Sequence, residues 1–261
     1  MHHMNMTHFL ILEIIVAALA VAALVLYPAA MYASGKEHQK WKWSRYILFA
    51  AGVILSAAAL TGPLARLSHM DFTVHMLGHL LLGMLGPLLI LHGKPMTLLM
   101  RTLKVANARK LSKILNLKYV QFISNPIVAS ILNIGGLFLI YKTGLFEIMH
   151  SSVLLFALIH LHVFLAGYLF TMSIIYIDIV THRYTFLYRA AVLIAALGFH
   201  KILSKMIYAS PPAGIAREDG EAGAMLMYYG GDIVDLALII ILCWQWYKAA
   251  GREHTRSLKF S

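Results

Sequence analysis

His75 and His79 stand four residues apart in "HMLGHLLLGMLGPLLILHGKP", a run otherwise apolar enough to lie in lipid. Side chains at i and i+4 share a helix face, so the two imidazoles can hold one ion between them. "LIHLHVFLAGYLF" adds His160 and His162, and "GFHKILSKM" adds His200. At ~1.5 Å of rise per residue, His75 falls about one turn and His79 about two turns below the expected outer end of its run, with His160, His162 and His200 ~12 to 15 Å deep on theirs. An ionisable group inside a membrane is costly and defaults to a functional hypothesis. Imidazoles from three helices at one level therefore point to a shared metal or cofactor site, the alternative being independent packing histidines. His160 and His162, at i and i+2, point about 200° apart. Only one of them can face that ion, leaving the other for a second site or a hydrogen bond to a neighbouring helix.

Thioethers accompany the imidazoles. The N-terminal "MHHMNMTH" carries Met4, Met6, His2, His3 and His8, and Met70, Met76, Met149, Met206, Met225 and Met227 lie toward the same side. Thioether with imidazole suits Cu(I) better than hard cations, although methionine is also an ordinary apolar filler. Asp232 and Asp235, at i and i+3, can fix the tautomer of a ligating histidine from behind or pair with Lys201 or Lys205. Cys243 is the only cysteine, which excludes internal disulfides and thiolate clusters; it is expected to be a small packing residue.

The elements that position these groups are membrane helices. Of the 261 residues 60% are hydrophobic and 13% charged, too apolar for a soluble domain of this length. Continuous runs near 9–32, 45–62, 72–92, 127–145, 152–178, 186–208 and 225–247 approach the roughly 20 residues that cross a bilayer, and continuity rather than alternation indicates helices, not a barrel. The expectation is an all-α integral membrane protein: a single seven-helix domain over 1–261. No Lys or Arg precedes the first run, so it reads as a retained helix with its N-terminus outside. That orientation places 17 of the 22 basic residues and the C-terminus inside, as the positive-inside bias requires, and leaves eight of the eleven acids toward the outer face. The net charge of +11 thus reports topology and contact with anionic membrane lipid, not nucleic acid. The basic connection after Gly93 is expected to lie along the inner surface as an amphipathic helix; "YASPPAGIAREDGEAG" reads as a turn-rich outer loop.

These motifs, in this order and over about residues 70 to 247, resemble the seven-helix CtaG-type cytochrome c oxidase assembly factors of bacteria. The histidine pair with its Pro-Leu-Leu and Gly-x-Pro continuation, the His-x-His helix, the single-histidine helix and "EDGEAGAMLMYYGGD" carry the likeness. Gly220 after Asp219 and Tyr228 after Met227 depart from the family's usual pattern. The resemblance implies a non-enzymatic, multi-pass protein of the bacterial plasma membrane that helps deliver copper to a haem–copper oxidase subunit, and it leaves a homo-oligomer open. It also implies roles: His75 and His79 as direct ligands, His160 or His162 and His200 completing the coordination, Met70 or Met227 as weak ligands at the mouth, and Asp219 gathering cations. Two other classes compete, a seven-helix zinc-dependent membrane hydrolase and a haem-binding membrane protein with pairs such as His79 and His200 as axial ligands.

Overall fold

The computed structural model describes residues 6–37, 39–149, 151–180 and 182–257, with side chains for 7–35, 39–149, 151–180 and 182–251. His2, His3, Met4, the Met6 side chain and His150 lie outside the described residues. Every element among the described residues is helical. In chain order these are α1 (Met6–Glu37), α2 (Trp43–Ala58), α3 (Gly62–Ser68), α4 (Phe72–His92), α5 (Pro95–Thr102), α6 (Val105–Leu115), α7 (Lys118–Ile123), α8 (Pro126–Lys142), α9 (Leu145–Met149), α10 (Val153–Ile174), α11 (Phe186–Ala209) and α12 (Arg217–Ser257). Helices α1, α4, α10, α11 and α12 are long and apolar enough to cross a membrane, and α2 with α3, bent by 43°, makes a sixth candidate if counted as one span. The chain is a multi-pass membrane protein. Helix α8, where the fourth run was expected, is a shorter apolar helix that stops at Lys142.

Three expected boundaries move, each for a local reason. The second span breaks at Gly62, whose φ of +73° favours glycine; buried Glu13 of α1 accepts its N–H at 3.0 Å and reaches Arg66 at 3.4 Å. The basic connection forms α5, α6 and α7 rather than one helix, because Leu103, Lys104 and Leu117 adopt extended backbone between them. The last helix starts at Arg217, not 225, which shortens the loop before it. Glu218 and Asp219 occupy its first turn, where carboxylates oppose the helix dipole, and Arg217 pairs with Glu221 at 2.8 Å. Glycines that read as turn formers instead allow close packing: a Cβ on Gly220 would sit 2.3 Å from Pro211.

Helix α4 is the centre of the bundle. Two-thirds of it is buried (67%), against 6% for α1, and it packs on α2, α10 and α12. Pro87 has no N–H, which removes the normal partner of the Gly83 carbonyl, and the helix widens into a π turn over Leu81–Leu85. The Gly83 carbonyl faces α10 so closely that a Cβ on Gly167 would lie 2.0 Å from it. Small residues let membrane helices approach backbone to backbone in this way. Helix α8 carries a second π turn at Ile131–Gly135.

At the basic end of the bundle the polar groups are tied down. Asp178 reaches across to α5, accepting from Met96 N and Thr97 N at 2.8 Å each and from the Thr97 hydroxyl. It thereby caps a helix whose own N-cap position, Lys94, is left-handed (φ 56°) and offers no side-chain cap. Burial, with help from the nearby Arg45, pulls the Lys94 ammonium below its ordinary range, against the pull of Asp178. Arg189, only 1% exposed, donates to the Ile174 carbonyl at 2.6 Å and to Gln245 Oε1 at 3.2 Å. Its guanidinium lies 3.9 Å over the Tyr176 ring and 4.4 Å over Phe186, so cation–π attraction supports a charge that has no carboxylate partner among the described residues. This clamp ends α10 at Ile174, four residues before the expected limit. Cys243, expected in the packing, is exposed.

Candidate metal centre

His79, on the buried face of α4, lines a cavity of about 20 Å³ together with Met84, Asn133, Thr171, His200 and Asp235. The rest of the wall is apolar, from Leu137, Phe170, Val234 and Leu238 among others. Helix α11 contributes His200 and helix α12 Asp235. Their exposures are 7% for His79, 3% for His200 and 4% for Asp235. His79 Nε2, His200 Nε2 and Asp235 Oδ2 are each buried without a hydrogen-bond partner among the described residues. A buried polar atom left unpaired costs about 1–3 kcal/mol, so three around one cavity call for an occupant. A volume of this size admits one water-sized body or ion.

His79 also lines a second cavity of about 20 Å³, toward the other end of α4, with His75, His160, Tyr141, Met149 and Ser68. The ring centroids of His75 and His160 are 6.4 Å apart. His75 Nε2 meets the buried Tyr141 hydroxyl at 3.1 Å. His160 Nδ1 donates to the Phe156 carbonyl at 2.8 Å, which leaves Nε2 as its lone-pair nitrogen. Four of the five expected histidines thus divide into two groups joined by His79: His75 with His160, and His79 with His200.

His162 belongs to neither group. Exposed on the opposite side of α10, it donates from Nε2 to the Leu132 carbonyl of α8 at 3.1 Å and lies over Gly136, where a Cβ would come within 2.6 Å of it. It is the member of the His-x-His pair that bonds a neighbouring helix. Met70 is 87% exposed, Met227 is fully buried in a core with Phe72 and Met76, and Asp219 is exposed on the first turn of α12. Asp232 pairs with Lys201 at 2.5 Å, with the Lys201 ammonium 4.4 Å over Tyr228; Asp235 is the carboxylate that faces the cavity. Among the described residues no three His, Cys, Asp or Glu side chains are grouped tightly enough to hold a metal by themselves.

The polar and sulfur-bearing wall residues Thr171, Ser68, Tyr141, Met84 and Asn133 were not anticipated. The last two sit in the two π turns. Such turns add a residue to the helix and recur at functional sites. For Met84 the visible signal was Gly86-Pro87 just beyond a histidine pair; for Asn133 it was one amide in an apolar run before Gly135-Gly136.

Comparison with known proteins shows the family of the chain. The sequence profile of the cytochrome c oxidase caa3 assembly factor family (Caa3_CtaG) matches residues 25–249, most of the chain. An uncharacterized protein of Mycobacterium leprae is 24% identical over 263 residues, covering 93% of this chain and 40% of its own length. Uncharacterized proteins of Mycobacterium bovis and Mycobacterium tuberculosis are each 30% identical over 193 residues, covering 71% of this chain and 29% of theirs. The chain therefore spans well under half the length of these curated relatives. No solved structure matches it. The chain belongs to the cytochrome c oxidase caa3 assembly factor family.

Proposed function

We propose that this assembly factor handles Cu(I), holding it at His79 and His200 inside the bundle and passing it to the copper-containing subunit of a haem–copper oxidase. The observation that carries the reading is the cavity of Asp235 and the two histidines, with three unpartnered buried polar atoms. Two neutral imidazoles give a soft monovalent ion the low coordination it accepts. The Asp235 carboxylate can balance its single charge, which lowers the cost of bringing that charge into a low-dielectric interior. His75 and His160 form the approach to this position through the second cavity, and Asp219 with the other acids at that end concentrates cations at the mouth. In this reading the approach opens on the outer face of a bacterial plasma membrane. The N-terminus lies outside, the basic end inside, and α8 serves as the fourth of seven spans.

The geometry favours copper over the competing classes. A zinc hydrolase needs three protein ligands and an open position, whereas the described His, Cys, Asp and Glu side chains supply no such trio. A haem between His79 and His200 would need far more room than about 20 Å³. The experiment is metal analysis of the full chain purified in detergent and loaded with Cu(I) under reducing conditions. Wild type is expected to retain copper, and His79→Ala and His200→Ala to lose it; full copper occupancy in either variant would reject its role.

A further inference from the structure

We propose that Met84 is the third ligand of the ion, making the site a two-imidazole, one-thioether position whose sulfur arises from the π turn in α4. This rests on the copper reading and adds to it the residue that sets metal preference.

The argument begins with a shortfall. Two histidines and Asp235 face the cavity, and among the described residues no three His, Cys, Asp or Glu side chains are grouped closely enough to hold an ion by themselves. Besides the imidazoles, the wall atoms with lone pairs come from Met84, Asn133, Thr171 and Asp235. The Thr171 hydroxyl is already committed to the Gly167 carbonyl at 2.8 Å. Of the others, only the thioether is a soft donor, and soft donors are what discriminate Cu(I) from zinc or magnesium.

Geometry explains how a methionine five residues after His79 comes to share its cavity. In a regular α-helix, i+5 lies about 140° away from i, on a different face. The π turn over Leu81–Leu85 inserts one extra residue, so Met84 takes the angular place that i+4 would otherwise hold and returns toward the His79 face. The opposite helix is cut back to receive it. A Cβ on Gly231 of α12 would lie 2.8 Å from His200 Cε1 and 3.9 Å from Met84 Cε, so imidazole and thioether meet over the same bare stretch of backbone. The Cβ position of Gly83 lies 3.4 Å from His79 Cε1, placing the second imidazole beside the π turn itself.

The test uses the full chain in detergent with Cu(I) as the probe. Two readouts apply: competition with a chromophoric Cu(I) chelator, and copper-edge X-ray absorption, which resolves a sulfur neighbour from nitrogen. Wild type is expected to show one sulfur scatterer. Met84→Leu, close to isosteric, should lose that scatterer and weaken Cu(I) by about 10- to 100-fold, the range that disturbing the surroundings of a metal ligand produces, while Zn²⁺ binding changes little. Met172→Leu, outside the cavity wall, should keep both the scatterer and the affinity and so controls for the loss of a methionine. An unchanged sulfur signal and affinity in Met84→Leu would overturn the inference while leaving the copper reading intact, provided His79→Ala still releases the ion. A wild-type chain that binds no Cu(I) would overturn both.

Discussion

The bundle contains two buried polar regions, and they are built on opposite principles. At the basic end, Arg189 and Asp178 spend their polarity on the protein: the guanidinium ties Ile174 and Gln245, and the carboxylate caps α5. Of the Arg189 nitrogens only Nε is buried without a partner. In the middle, His79, His200 and Asp235 each present one atom with no hydrogen-bond partner among the described residues. Buried groups in a membrane protein normally find partners, because the alternative is an unsatisfied dipole in a low-dielectric interior. The contrast therefore separates polarity used to hold helices together from polarity that the described helices leave unpaired.

That contrast can be broken by mutation, since the two regions should respond with opposite signs. Arg189→Met removes the clamp, strands the Ile174 carbonyl and leaves Gln245 Oε1 with the Tyr176 N–H alone; thermal unfolding in detergent should show a loss of about 2–3 kcal/mol, from one buried carbonyl left unpaired and the lost cation–π contacts. Asp178→Ala, which uncaps α5, should cost about 2 kcal/mol by the same assay, at the upper end for a helix cap. In the middle region Asp235→Leu should raise the stability of the metal-free chain by about 1–2 kcal/mol, because it deletes an unpaired buried carboxylate, while copper retention falls. A destabilised metal-free Asp235→Leu protein would show that the carboxylate already has a structural partner, and the distinction between the regions would collapse. His162→Phe should change stability by less than about 1 kcal/mol, the worth of one hydrogen bond to a carbonyl, and leave copper retention untouched, sharpening the separation of His162 from His160.

Much of the fold was legible because it depends on composition and period. Apolar continuity marked α1, α4, α10, α11 and α12, since the cost of exposing polar backbone to lipid leaves few other solutions. The broken second span was less legible: Gly62 needs the Glu13 carboxylate of another helix to hold its N–H. The early start of α12 was missed because glycines at Gly220 and Gly223 look like turn formers until Pro211 and Phe72 are seen packed against them. Of the residues that line the two cavities, His75, His79 and His200 were readable as rare polar residues within apolar runs. Spacing alone could say that His160 and His162 diverge, but not which of them turns inward. The approach of Leu132 and Gly136 on α8 draws His162 outward and leaves His160 to the cavity.

From sequence alone, the chain determined that it is helical, lies in a membrane, and carries imidazoles within three of its apolar helices. Hydropathy and the 3.6-residue period act over short distances, and they suffice for that. Only the tertiary structure decided that the histidines form two groups sharing His79 and that Asp235, not Asp232, faces the inner one. It alone showed that a π turn brings Met84 to the same wall. Those outcomes depend on helix rotation and on a one-residue change of register, which are set by backbone contacts such as Gly83 on Gly167 and leave no periodic trace in the chain.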